Sequence, residues 1–325
     1  MMATRPWSIT IAAIFALAAS AASAQGYPNK PVRWSIAGGA GGAYDVLARV
    51  LLPIAGNSMG QPQIMENRAG ASGIAGADFV AKSAPDGYSM LFAGNTQWTL
   101  IKFTHANLPY DPQKDIAPIS VLAYLSSVLF VNASLPINSM AELVAYSKAN
   151  PGKLNYGSGG IGHSLHLGME LLKLRNGLDA THVPYKTTPG ALQDMFAERV
   201  QLIFYPPSSQ LMAQIKAGKI RPIATPTEKR WARLPDVPTF AELGITNYEW
   251  PGWTGIGAPA GTPREIITRW HAEIVKAMNT PEIEKIIDQM AAVPAAGTPD
   301  QMAQTIAREI ALWGPVTKTL GIKPE

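Results

Sequence analysis

Short apolar runs alternate with amphipathic stretches along most of the chain, and glycine clusters lie between several of them. The apolar run that starts at Val32 predicts a buried strand, and Gly38–Gly42 predicts a tight turn. The helix predicted next has an inward face formed by Val46, Leu47 and Val50. Further elements are predicted at 63–65 and 88–93 (strands) and at 74–81 (helix). Such alternation is typical of a mostly parallel sheet flanked by helices.

A second alternating set lies further along the chain. The apolar stretch 119–131 is too long for one ordinary strand, and Ser126-Ser127 interrupts it, which predicts a crossing between two domains. Strands are then predicted at 154–156, 182–185 and 202–205, with helices at 163–175, 189–196 and 208–217. The apolar segment 220–225 is interpreted as the return crossing. We therefore expect one discontinuous lobe (25–123 plus 225–325) and a second lobe (124–224), with hinges at the crossings.

The first 24 residues have the features of a secretory signal peptide. Arg5 gives a positive start, 8–20 is apolar, and Ala22-Ser23-Ala24 is an A-x-A cleavage site, so cleavage after Ala24 and export to the periplasm are expected. No later stretch approaches the roughly 18 apolar residues of a membrane span. The chain has no cysteine, which excludes disulfides. Its pI is 9.1, but charged residues make up only 15% of the chain and the lysines and arginines are scattered singly, so we expect no nucleic-acid partner.

The Gly38–Gly42 loop is a candidate anion site. Four glycines around Ala40 leave main-chain amides accessible, and the helix that follows adds the positive end of its dipole. Ligands of such sheets lie beyond the carboxyl ends of the strands, where Asn95-Thr96-Gln97 also falls. The alternatives are a plain strand-to-helix connection and a dinucleotide site, although a G-x-G-x-x-G motif starting at Gly39 would have Tyr44 in place of its third glycine.

The second lobe repeats this arrangement in the segment 155–164, where a strand, a glycine-rich loop and a helix start follow one another. Candidate ligand-binding residues here are Ser158, Gly159, Gly162, His163, Ser164, Thr187, Thr188 and Tyr205. The hydroxyl residues have a second interpretation as simple helix caps. Two glycine loops on facing lobes would close on one ligand, which would then contact both lobes.

The motifs of catalysis and metal binding are absent or incomplete. His163 and His166 supply only two metal ligands, whereas a zinc site usually has three or four. Neither 87–90 nor 157–160 matches the G-x-S-x-G pattern of serine hydrolases, and neither Gly-Lys pair continues as a P-loop. We therefore expect no metal, no cofactor and no enzymatic activity. An exported hydrolase or lyase that uses His163 and Ser164 is the remaining enzymatic alternative.

A series of motifs carries a resemblance to a known family. In chain order they are YPNKPVR (27–33), GGAYDVLAR (41–49), ENRAG (66–70), APDGY (84–88), LNYGSG (154–159), HVPYK (182–186), LPDVPT (234–239) and APAGTP (258–263). With these motifs the sequence resembles, over essentially its whole length after the leader, the periplasmic solute-binding proteins of tripartite tricarboxylate transporters, the Bug family.

This resemblance implies a type II periplasmic binding protein, a two-lobed α/β fold that closes like a Venus flytrap on a carboxylated solute. It also implies that Gly38–Gly42 and the loop after the third strand hold one carboxylate, and that the protein, expected to be a monomer, docks on membrane permease subunits. A receptor that feeds a sensor is the alternative.

Two positions depart from the family pattern. Ala37 and Gly38 stand where the family often has proline and an aromatic residue, which would enlarge that wall. Tyr205 stands where many members carry an acidic residue, which makes an amino-acid ligand less favourable. The departures favour a hydroxylated, aromatic or longer dicarboxylate.

Overall fold

The computed structural model describes residues 26–227, 229–246, 248, 252–322 and 324, and these residues form two β-sheets with helices around them. In chain order the elements are β1 (Val32–Ile36), α1 (Ala43–Met59), β2 (Gln63–Asn67), α2 (Ile74–Ala81), β3 (Ser89–Gly94), α3 (Asn95–Trp98), β4 (Ile116–Leu125), β5 (Val128–Asn132), α4 (Met140–Ala149), β6 (Asn155–Ser158), α5 (Ser164–Asn176), β7 (Thr181–Pro184), α6 (Thr188–Phe196), β8 (Leu202–Tyr205), α7 (Ser209–Lys216), β9 (Ile220–Ala224), β10 (Gly252–Pro259), α8 (Arg264–Met278), α9 (Pro281–Gln289), β11 (Val293–Pro294) and α10 (Pro299–Thr319). The predicted leader lies outside the described residues.

The first sheet has the strand order β11-β4-β10-β3-β1-β2, and the second has β7-β6-β8-β5-β9. The strands that lead into the predicted site loops run parallel, because β1 pairs in parallel with β2 and β3, and β6 with β7 and β8. The strands beside the crossings are antiparallel, so both sheets are mixed. The predicted two-lobed α/β fold is confirmed, and the first sheet is mixed because β10 and β11 pair antiparallel with their neighbours.

Each lobe has a core on both faces of its sheet. In the first lobe, α1 and α8 pack around Trp34 and Trp270, whose rings meet edge to face at 4.9 Å. Within α1, Tyr44, Leu47, Ala48 and Leu51 are buried, whereas Val46 is 37% exposed. The inward face of this helix therefore differs from the predicted one, because aromatic Tyr44 takes a buried place that the sequence pattern gave to Val46.

The break at Ser126-Ser127 separates β4 in the first sheet from β5 in the second, as the sequence predicted. The return differs from the prediction. After β9, the side chains of Leu234, Val237, Phe240 and Tyr248 pack into the second-lobe cores, although the segment had been assigned to the first lobe. The physical reason is that backbone hydrogen bonds from Thr225 N to Pro238 O (3.0 Å) and from Phe240 N to Thr225 O (2.8 Å) hold this segment beside the end of β9, where its apolar side chains reach the second-lobe cores.

Helix α10 contacts both lobes. Met302 and Ile306 pack in a first-lobe core, and Trp313 packs in a second-lobe core. Thr298 begins this helix with a capping box, whereas Thr262, which precedes α8, donates its hydroxyl to Pro259 O at 2.7 Å. Within the described part of the chain, no helix is long and apolar enough to cross a membrane.

Candidate ligand-binding site

A cavity lies where the two lobes face each other. Its empty volume is about 710 Å³, which includes space open to solvent. It is lined by Ala37, Gly38, Gly39, Gly42, Ala43, Tyr44, Ala69, Ser72, Gly73, Leu125, Ser127, Gly159, His163, Ser164, Leu165, Lys186, Thr187, Thr188, Pro189, Tyr205, Pro206 and Gly252. No aspartate or glutamate of the described residues is among them, and Lys186 is their one permanently charged side chain. The lining combines small and apolar residues with a few hydroxyl, imidazole and ammonium groups, a composition typical of a small-molecule site.

The loop between β1 and α1 uses part of its amides to hold its own shape. Gly38 N donates to Ile36 O at 2.8 Å, and Gly42 N to Gly39 O at 3.0 Å. Gly41, at φ +74°, donates its amide to Asp45 Oδ2 at 2.8 Å. Asp45 thus holds the turn from within.

Asp45 is kept ionised by its surroundings. Burial acts to raise its pKa, but hydrogen bonds from Arg49, the Gly41 amide and Asn67 hold the pKa below its ordinary value. The Arg49 Nε to Asp45 Oδ1 distance is 2.9 Å. The carboxylate of Asp45 is therefore fully engaged within its own loop and helix.

Other amides of this region remain available. Within the described residues, the N–H groups of Gly39, Ala43 and Tyr44 have no hydrogen-bond acceptor, and all three residues line the cavity. Ala43 and Tyr44 open α1, where backbone donors cannot be satisfied inside the helix. These are the donors through which this loop can bind an anion.

Helices α1, α5 and α6 all begin at the cavity. Their first residues line it: Ala43 and Tyr44 in α1, Ser164 and Leu165 in α5, Thr188 and Pro189 in α6. The three helices have 17, 13 and 9 residues. Because each helix N-terminus carries about half a positive charge, three of them around one cavity produce a positive potential.

His163 caps α5 from the cavity wall. Its Nδ1 accepts a hydrogen bond from Leu165 N at 3.2 Å, which assigns the ring proton of the neutral form to Nε2. Burial, with a smaller effect of His166, lowers the pKa of His163 to about 4. At neutral pH this imidazole is an uncharged donor and a weak base.

Two further imidazoles hold the second glycine loop in place. The rings of His166 and His182 stack at 4.0 Å, and Gly162 N donates to His166 Nδ1 at 3.1 Å. His182 Nε2 lies 2.6 Å from Ser158 Oγ. Burial lowers the pKa of His166 to about 4 and that of His182 to about 3. In the described part of the chain, no group of three or more His, Cys, Asp or Glu residues could hold a metal ion.

Direct contacts join the lobes beside the cavity. Ser72 Oγ donates to Ile161 O at 2.9 Å, and Ser164 N donates to Thr96 Oγ1 at 3.0 Å. The backbone of Gly39 is so close to Thr187 that a Cβ on Gly39 would lie 2.7 Å from the threonine Cβ. The structure is therefore a closed form in which both glycine loops are in contact with the opposite lobe.

Two tyrosines line the cavity. Tyr44 is buried, forms a hydrogen bond with Thr96, and has a pKa raised by burial. Tyr205 ends β8, and burial raises its pKa to about 12. Its hydroxyl has no hydrogen-bond partner among the described residues, which leaves it available to a ligand. Two tryptophans near the predicted loops, Trp98 and Trp253, lie stacked in the first-lobe core.

Nine of the sixteen predicted site residues line the cavity: Gly38, Gly39, Gly42, Gly159, His163, Ser164, Thr187, Thr188 and Tyr205. The other seven lie outside the lining: Ala40, Gly41, Asn95, Thr96, Gln97, Ser158 and Gly162. Several of these have structural partners; Asn95 Nδ2, for example, donates to Glu309 Oε1 at 2.8 Å, and the Gln97 side chain donates to Ser72 O.

Sequence reasoning missed Ser72 and Lys186. Ser72 lies in a turn with positive φ (54°), and the only sequence signal for that turn was the glycine-rich segment around Gly70 and Gly73. Lys186 stands inside the quoted motif 182–186, but nothing in the motif indicates that it faces a cavity.

Two α/β lobes that close on a cavity define this chain as a protein of the periplasmic binding class. Residues 47–322 match the family model described as the tripartite tricarboxylate transporter family receptor, and the chain belongs to that family. Protein BugT of Bordetella pertussis is 33% identical over 307 residues, which cover 94% of each chain.

Two solved structures have the same fold. The structure of R. palustris Rpa4515 with adipate has a TM-score of 0.87 and 35% identity, and the match covers 92% of this chain and 100% of that one. The structure of MatC (Rpa3494) from Rhodopseudomonas palustris with bound malate has a TM-score of 0.84 and 26% identity, over 90% of this chain and 100% of that one. Both relatives are bound to carboxylates.

Proposed function

We propose that this chain is a periplasmic receptor that captures a small carboxylate between its lobes and delivers it to the membrane subunits of a tripartite transporter. The observation that carries the proposal is the convergence of three helix N-termini and Lys186 on one cavity, with no acidic side chain among its described lining residues. The adipate and malate bound to the two relatives support the same ligand class.

The amides at the start of α1 are the proposed primary carboxylate site. A hydrogen bond from an amide to a carboxylate contributes roughly 1.5–3 kcal/mol, and a helix dipole adds roughly 0.3–2 kcal/mol. Gly39, Ala43 and Tyr44 supply donors from the first lobe, and His163 Nε2–H supplies one from the second. A carboxylate in contact with both lobes would stabilise the closed form, because in an open form the donors of the two lobes cannot reach the same ligand.

The same geometry argues for binding without turnover. His163 stands next to Ser164, but a pKa of about 4 makes its imidazole a poor general base at neutral pH. Its Nδ1 is also occupied by the Leu165 amide. We therefore propose a receptor that releases its ligand unchanged.

The lobes are proposed to divide at Ser126-Ser127 and between Tyr248 and Gly252, since the segment after β9 packs on the second lobe.

The proposed mature chain starts at Gln25 and is a monomer. Intact-mass measurement of the exported protein and size-exclusion chromatography with light scattering check these two statements.

Thermal-shift titration with adipate and malate, each compared with an uncharged analogue such as adipamide, tests the ligand class. A ligand present at 100 times its Kd stabilises the receptor by about 2.7 kcal/mol, so an acid that binds should raise the Tm by several degrees. The acid should raise the Tm and the amide should leave it unchanged. Equal shifts by acid and amide, or a shift by the amide alone, would contradict a carboxylate site.

A further inference from the structure

Lys186 is the charged group of the cavity that no other side chain neutralises. It lies in the short connection between β7 and α6, is exposed, and lines the cavity. Within the described chain it has no hydrogen bond or ion pair. The nearby arginines differ in this respect, since Arg49 pairs with Asp45 and Arg68 pairs with Glu66. Lys186 thus leaves an uncompensated positive charge at the wall of the proposed ligand site.

The position of Lys186 complements the first carboxylate site. The free amides of Gly39, Ala43 and Tyr44 belong to the first lobe, whereas Lys186 belongs to the second. Lys186 also adjoins the start of α6, whose dipole adds to the positive potential there. A ligand with one negative group at the α1 amides would therefore find a second anion-favouring region on the opposite lobe.

We propose that Lys186 is a specificity-determining residue that binds the second carboxylate, so that this receptor prefers dicarboxylates to monocarboxylates of equal length. The inference rests on the proposed function, because it assigns the other end of the same ligand. A monocarboxylate leaves the ammonium of Lys186 without a partner, while a dicarboxylate supplies a charge-assisted hydrogen bond across the cavity.

The test measures the Kd of matched acids for the wild type and three variants by calorimetry. Adipate and hexanoate have the same chain length and differ in the second carboxylate. Lys186→Met removes the charge and keeps an unbranched side chain, and Lys186→Arg restores a cation. Lys153→Met is the matched control: it removes an exposed lysine of the same lobe, just before β6, at the strand end opposite the loop that lines the cavity.

The wild type should bind adipate more tightly than hexanoate. Lys186→Met should raise the Kd of adipate about tenfold, which is the range of one charge-assisted hydrogen bond at an exposed group. The same variant should change the Kd of hexanoate less than twofold. Lys186→Arg should recover most of the adipate affinity, and Lys153→Met should alter neither acid.

Two results would overturn the inference while leaving the carboxylate receptor intact. One is tighter binding of hexanoate than adipate by the wild type; the other is an equal effect, or no effect, of Lys186→Met on both acids. If neither acid binds, and a panel of straight-chain, hydroxylated and aromatic mono- and dicarboxylates of three to ten carbons fails as well, the proposed function falls and the role of Lys186 falls with it.

Discussion

Replacing Thr96 by valine removes a hydroxyl that joins the lobes at a residue outside the cavity lining. The substitution also removes the hydrogen bond between Thr96 and Tyr44, but both residues belong to the first lobe, so this second loss falls on the open and closed forms alike. Thr96 is fully buried, and its Oγ1 accepts a hydrogen bond from Ser164 N across the interface. Valine has nearly the same shape, so the packing around α3 should persist. The variant tests whether this hydrogen bond stabilises the closed form.

The size of the effect follows from the amide that loses its acceptor. Ser164 is 5% exposed in the closed form, so its N–H would be buried without an acceptor, at a cost of about 1–3 kcal/mol. In an open form, water would hydrate this N–H, and the cost therefore falls on the closed form. If binding requires closure, ligand affinity should fall about 5- to 150-fold.

Calorimetry with the tightest carboxylate measures that loss, and small-angle scattering follows the radius of gyration with and without ligand. Thr254→Val is the matched control, because Thr254 is equally buried but its hydroxyl donates to Ala93 O within the first lobe. It should lower the Tm and leave affinity unchanged. Wild-type affinity in Thr96→Val, or equal losses in both variants, would refute the reasoning.

Gly39→Ala would place a methyl group 2.7 Å from Thr187 Cβ, so ligand affinity should drop at least about tenfold at unchanged Tm; normal calorimetric binding would mean that closure does not need this contact. Tyr205→Phe should reduce the binding free energy by about 0.5–1.5 kcal/mol, and Tyr205→Asp should weaken the binding of dicarboxylates. If calorimetric titration shows unchanged affinity for both variants, Tyr205 has a packing role only. The Tm should fall from pH 6.5 towards pH 3, because burial depresses the pKa of His166 to about 4 and of His182 to about 3, and the unfolded state then binds more protons. Replacing both histidines by glutamine should flatten this pH dependence, and an unchanged slope would argue against the two histidines as its cause.

Local sequence patterns predicted most of the fold. The break at Ser126-Ser127 and the strand ending at Tyr205 depend on nearby apolar runs, and both were located correctly. The packing of Phe240 and Tyr248 on the second lobe could not be predicted, because it depends on contacts with segments far away in the sequence.

The position of the candidate cavity was predictable in outline for the same reason. Glycine loops followed by helices mark places where amides are accessible, but the sequence does not show which amides are already used. Gly41 gives its amide to Asp45, so the available donors shift to Gly39 and the first turn of α1. Lys186 escaped notice because exposed lysines are common, and only the position of the facing lobe distinguishes this one.

A crystal structure with the tightest-binding carboxylate tests the central claim most directly. We predict one carboxylate within hydrogen-bond distance of the Gly39, Ala43 or Tyr44 amides, with His163 in contact with the same ligand from the other lobe. A ligand that occupies the cavity with no carboxylate at any of the three helix N-termini, or that binds outside the cavity, would contradict it.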